Sequence, residues 1–184
     1  MNTVSFRLEP LALLESLDGI ALLLDRELRV VAAGMGNWRR FWAENDGPDR
    51  APPLIGHDVT GFMTPGPVRS AFRVALDGVA TGLRGPLRLP FRCDSPLVRR
   101  EMHLVVSRCG GDLLLYQTRL LSVRRWAEPL AVAGPRRCAV CGLAHPGAAG
   151  ADPLDWVDPP GPAPMADAEG ELCPRCELAL LGSA

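Results

Sequence analysis

The chain has 184 residues, 47% hydrophobic and 22% charged, with a formal net charge of −1. Such a composition is globular rather than disordered, and the length suits one ordinary domain plus a small appendage. Near-neutral charge removes the bulk-electrostatic case for nucleic-acid binding, and no run of about 18 apolar residues offers a membrane span.

In chain order, Leu8, Leu11, Leu14 and Leu17 recur at three-residue steps, as the apolar face of an amphipathic helix would. Pro10 suits the first turn of that helix better than its interior. Residues 20–24 form an apolar run fit for a buried strand, Asp25-Arg26-Glu27 a turn, and Leu28–Ala33 a second strand, together a hairpin. Asn37 is placed to cap a short helix carrying Trp38, Phe41 and Trp42 on one side. A polar loop, Asp46–Pro53, leads to a short helical segment at Thr60–Met63. Pro65 and Pro67 then open a longer helix over Val68–Val79, where Phe72, Ala75, Leu76 and Val79 share a face.

From Pro86 the period changes to two. Leu87, Leu89 and Phe91 alternate with polar or proline positions, as in a half-buried strand. Leu97–Arg108 and Leu113–Leu121 follow as strands, joined by the tight turn Cys109-Gly110-Gly111-Asp112. The expected order is a leading helix and then β-β-α-α-α-β-β-β.

The tail carries Cys138-Ala139-Val140-Cys141 and, after 31 intervening residues, Cys173-Pro174-Arg175-Cys176. Two C-x-x-C pairs are the sequence form of a tetrathiolate site. Each turn offers two thiolates, and two facing turns build the tetrahedral S₄ shell that suits Zn²⁺. Such a shell is closed, with no open position for water or substrate, so a structural role is expected for Cys138, Cys141, Cys173 and Cys176. The metal would replace a core that so short a tail cannot build, and the proline-rich stretch between the pairs reads as a loop held at both ends. The rival reading is a thiol switch in which oxidation ejects the metal and pairs the sulfurs. Arg136, Arg137 and Arg175 beside the sulfurs fit either reading. His145 is a substitute ligand that four cysteines make unnecessary.

Cys93 and Cys109 read as ordinary thiols placed too far apart in a meander to pair. Trp38 and Trp42 read as packing residues. The arginine pairs at 39/40, 99/100, 124/125 and 136/137 read as solvated faces. A nucleophile elbow, a phosphate loop, a metalloprotease helix and a paired-carboxylate constellation are all missing from the sequence, so no catalytic residue is assigned. The first ten residues lack a basic segment followed by an apolar one, so secretion is not expected. Six cysteines in such a chain point to thiols and metal rather than disulfides, and the expected location is the cytoplasm.

The element order, with LDGIALLLDRELRVVAAG, LIGHDVTGFM and VRSAFRVALDGVATG, resembles a PAS domain over about residues 12–122. The tail, with Cys138, Cys141, Trp156, Cys173, Pro174 and Cys176, resembles a cysteine module at the ends of bacterial PAS-containing signalling proteins and response regulators. Where that module has a basic stretch after its first pair, this chain reads Gly142-Leu-Ala-His145-Pro. The resemblance implies an α+β fold: a PAS-like five-stranded antiparallel sheet with helices on one face, plus a small zinc-ribbon-like C-terminal module. It divides the chain into an N-terminal amphipathic helix at 1–17, a PAS-like domain at 18–122, a linker at 123–135 and a Cys₄ module at 136–184.

PAS relatives often hold a small molecule between sheet and helices. Haem is the cofactor alternative, but relatives that bind it use a histidine on the long helix and 68–79 has none; His57 and His103 lie elsewhere. The middle helices lack the cysteine a flavin photoadduct needs. Leu22, Leu24, Phe72, Leu76, Leu89, Phe91, Leu104 and Leu115 are the candidate pocket lining, with plain core as their simpler reading. The implied function is a non-catalytic bacterial sensory or adaptor protein with structural zinc that passes a signal to a partner protein. It would form a homodimer through the N-terminal helix, with no membrane and no nucleic-acid partner. The alternatives are a thiol-based redox sensor using the C-x-x-C pairs and a zinc-ribbon nucleic-acid-binding regulator.

Overall fold

The computed structural model describes residues 9–44, 51–63, 65–94, 98–125, 138–143 and 171–182. Helix α1 spans Pro10–Ser16, strand β1 Ala21–Leu24, β2 Val30–Ala33 and helix α2 Met35–Glu44. A 3₁₀ turn at Val59–Phe62 precedes the long helix α3, Pro67–Thr81. The meander follows as β3 Leu87–Arg92, β4 Val98–Cys109 and β5 Leu113–Arg125, and helix α4 covers Pro174–Leu181. The five strands make one antiparallel sheet in the order β2-β1-β5-β4-β3. The chain is α+β, as the sequence predicts.

Period-two alternation decides which sheet face is covered. Along β4, Arg100, Met102, Leu104 and Val106 are buried while the residues between them are half-buried. The register puts Leu22, Tyr116 and Val106 in one row and Leu23, Leu115 and Ser107 in the next. Leu115 therefore faces away from the other candidate pocket residues. Leu22, Leu24, Phe72, Leu76, Leu89 and Leu104 are all buried in the main apolar cluster, as plain core. Helix α3 seats Ala71, Phe72, Ala75, Leu76 and Val79 there.

Three local features differ from expectation. Asn37 is not a cap: α2 begins at Met35, because the Gly36 amide is met by the Glu15 carboxylate at 2.8 Å. Asn37 is buried in the helix instead, its amide donating to the Glu15 and Leu17 carbonyls. Leu28 lies before β2 in a left-handed conformation, φ 64°, a strained state that its complete burial holds in place. Strand β5 runs to Arg125 past a bulge opposite Glu101/Met102, which lets it continue beyond Leu121 while β4 still pairs with it.

Helix α1 docks through the fully buried Leu14, while Leu11 and Leu13 are exposed. Leu8 lies outside the described residues. At the far end of the sheet, β3 is an edge strand. Residues 88, 90 and 92 turn their backbone outward; Pro90 has no N–H to offer, and the Arg92 N–H is taken by the Val140 carbonyl at 2.7 Å. A proline and a covering loop both protect a sheet edge from unwanted pairing. The covering loop is the first cysteine pair.

Candidate metal centre

Cys138–Leu143 forms a tight turn. The Cys138 N–H donates to the Leu143 carbonyl at 2.8 Å and the Gly142 N–H to the Cys138 carbonyl at 2.9 Å. Closing this turn puts Gly142 at φ 70°, where a Cβ would also lie 2.7 Å from the Arg92 side chain. Only glycine meets both demands. The second pair is made differently. Cys173 is the N-cap of α4, Pro174 occupies its first position and Cys176 stands in its first turn. Both cysteines of this pair thus stand at a helix N-terminus, whose positive dipole end favours thiolate. A backbone bond from the Ala139 N–H to the Glu171 carbonyl, 3.0 Å, ties the two arms together.

These turns bring Cys138, Cys141, Cys173 and Cys176 together, with all four sulfurs within 4.8 Å of one another and Cys141 Sγ 3.6 Å from Cys173 Sγ. A tetrahedron of about 2.3 Å zinc–sulfur bonds has edges of about 3.8 Å, so the sulfurs already approximate that shell. The four cysteines are positioned to bind a metal ion, and the set is compatible with structural zinc. Hydrogen bonds from the Cys141 and Cys176 thiols hold the Cys138 pKa far below the usual thiol value. The same bonds push Cys141 up to about 12 and raise Cys176, because each would lose its proton beside an existing thiolate. A metal ion supplies the positive charge that lets all four ionise, so loading must release protons.

The site is built into the sheet's own core. Cys138, Val140, Cys173, Cys176 and Leu180 belong to the apolar cluster that contains Leu76, Val79, Leu87 and Leu89. Two arginines fasten it. Arg84 donates to the Ala179 and Leu180 carbonyls at 2.9 and 2.6 Å, closing the C-terminal end of α4. Arg92 reaches the Gly142 carbonyl at 3.5 Å and forms a buried ion pair with Asp94, whose other oxygen accepts from the Arg100 N–H. Sequence reasoning missed Arg84, Arg92, Asp94 and Gly142. Only Gly142 left a local signal, as the glycine directly after a C-x-x-C turn.

Arg175 is exposed, and Arg136, Arg137, His145 and Trp156 lie outside the described residues. Cys93 and Cys109 are both free thiols, each with its pKa raised chiefly by burial. His57 is exposed against Phe62, and His103 lies on the outward row of β4. Trp38 is buried, with its indole N–H on the Pro52 carbonyl and its ring against Phe41, Trp42 and Phe62.

No family model matches the chain, and no curated protein matches it. Among the described residues, no helix is long and apolar enough to cross a membrane.

Proposed function

We propose that the chain is a non-catalytic PAS-type sensory or adaptor protein whose tail is organised by structural zinc and which passes a signal to a partner protein. The observation that carries the reading is a closed set of four sulfurs set into the same core as a five-stranded sheet. A full S₄ shell has no coordination position left for a reacting molecule, so its contribution is to folding and shape. The element order, two strands, a helical crossing and a three-stranded meander, supports the PAS part. Direct packing of the tail on β3 and α3 gives a route by which a change in the sheet would reach the metal arms. Exposed Leu11 and Leu13 on α1 support a homodimer through that helix. Reduced thiols throughout suit a cytoplasmic setting.

Metal analysis combined with an absorption spectrum of freshly purified protein tests this. One zinc per chain and no haem or flavin band are expected, and Cys138→Ser or Cys173→Ser should abolish stoichiometric zinc. A wild-type chain free of both zinc and iron would overturn the metal reading.

A further inference from the structure

The four sulfurs are not equally sheltered. Cys138, Cys173 and Cys176 are 1–2% exposed, whereas Cys141 is half-buried. Cys141 also borders a cleft of about 220 Å³ between the metal arms and the β3 edge, with Leu143, Arg175, Arg99 and Leu121 among its walls. Cys176 borders the same cleft but is only 2% exposed, so a small polar molecule entering it meets Cys141 first. Of the arginines on that lining, Arg99 is paired with Glu101, which also lines the cleft, and Arg175 is exposed.

We propose that Cys141 is the oxidisable ligand of the centre, and that a peroxide converts the centre to a Cys141–Cys173 disulfide joining the two arms. The proposal rests on the zinc reading above. The Cys141 thiolate attacks one oxygen of hydrogen peroxide; an S–O bond forms, the O–O bond breaks, and hydroxide leaves, giving a sulfenic acid. The Cys173 thiolate, 3.6 Å away, then attacks the Cys141 sulfur. An S–S bond forms, the S–O bond breaks, and a second hydroxide leaves. Two electrons pass from the two thiolates to the peroxide. Only Cys138 and Cys176 remain as ligands, and the ion is released. Because Cys141 sits on the arm bonded to β3 and Cys173 begins α4, this product keeps both arms against the sheet after the metal has gone. A disulfide inside either C-x-x-C pair would let them separate.

The test uses the zinc-loaded full-length protein, hydrogen peroxide, a sulfenic-acid trap and peptide mapping without reduction, with released zinc followed in parallel. Within the cluster, trapping at Cys141 should exceed that at the other three cysteines by about tenfold or more, following its exposure. Prolonged oxidation should yield an intramolecular Cys141–Cys173 peptide in step with zinc release. A dominant Cys138–Cys141 or Cys173–Cys176 disulfide, first attack at a buried sulfur, or zinc retained at peroxide excess would each overturn the inference while leaving the metal reading intact. Protein that carries no metal at the outset would overturn both, and the initial metal analysis tells these failures apart.

Discussion

Asp94 stands at the junction between sheet and metal arms, 2% exposed in its side chain and paired with an almost equally buried Arg92. A buried pair contributes little over a well-packed apolar substitute, but removing one partner strands the other's charge. Asp94→Asn should therefore destabilise the protein by about 3–5 kcal/mol in denaturant unfolding. Arg92→Leu with Asp94→Leu should recover much of that loss. Tyr116 is the chain's one tyrosine, so its ionisation can be read in the ultraviolet without overlap from another phenol. Burial first, and the nearby Cys93 second, push its pKa up from 10.0 to about 12. The unfolded chain releases this proton first. The neutral phenol is thus no handicap below pH 10, and stability falls as pH rises from 10 towards 12. Phenolate absorbance in folded protein should rise with a midpoint near the upper value, dropping to about 10 once the chain is unfolded. A folded midpoint at 10 would show that this partly buried phenol is not desolvated.

Helix α4 is only eight residues long, too short to persist alone in water. Its start is held by the cysteines and its end by the Arg84 guanidinium on two terminal carbonyls. Arg84→Ala should cost about 1.5 kcal/mol, the scale of charged hydrogen bonds partly open to solvent. In a chain of this size that lowers Tm by roughly 3–6 °C, measurable by calorimetry. Zinc stoichiometry should survive, because Arg84 touches the far end of the helix and none of the sulfurs. Element positions themselves were largely legible from pattern. The apolar spacing in α3 and the alternation in β3 and β4 have periods that any chain of those residues would show. Boundaries were less so. α2 starts two residues before Asn37 because a carboxylate from α1, twenty-one residues earlier, satisfies its first turn. β5 outlasts its apolar stretch because β4 continues to pair with it.

At the scale of the whole molecule, the two cysteine arms pack as one wall of the main core. Stripping the metal with a strong chelator should lower apparent stability by about 4 kcal/mol, relative to protein in free zinc a thousandfold above its Kd. Hydrogen exchange locates the effect. The Arg92 amide, bonded to Val140, should lose protection first, together with the amides of Cys138 and Gly142, while the β1–β5 ladder stays protected. Uniform loss of protection across all strands would mean that the metal holds up the entire sheet and not one edge.

Read alone, the amino-acid sequence determined the α+β order of elements up to β5, though not α4, and the four cysteines as a candidate metal-binding set. Both are matters of local spacing: periods of 3.6 and 2, and pairs of thiols three residues apart. Only the tertiary structure decided that the arms join the main core, that Leu115 faces away from it, that Arg84 and Arg92 fasten the tail, and that Cys141 alone of the four is half open. Those facts depend on contacts between residues 32 to 96 positions apart and on strand register. Local pattern carries no record of which distant surface a residue will meet.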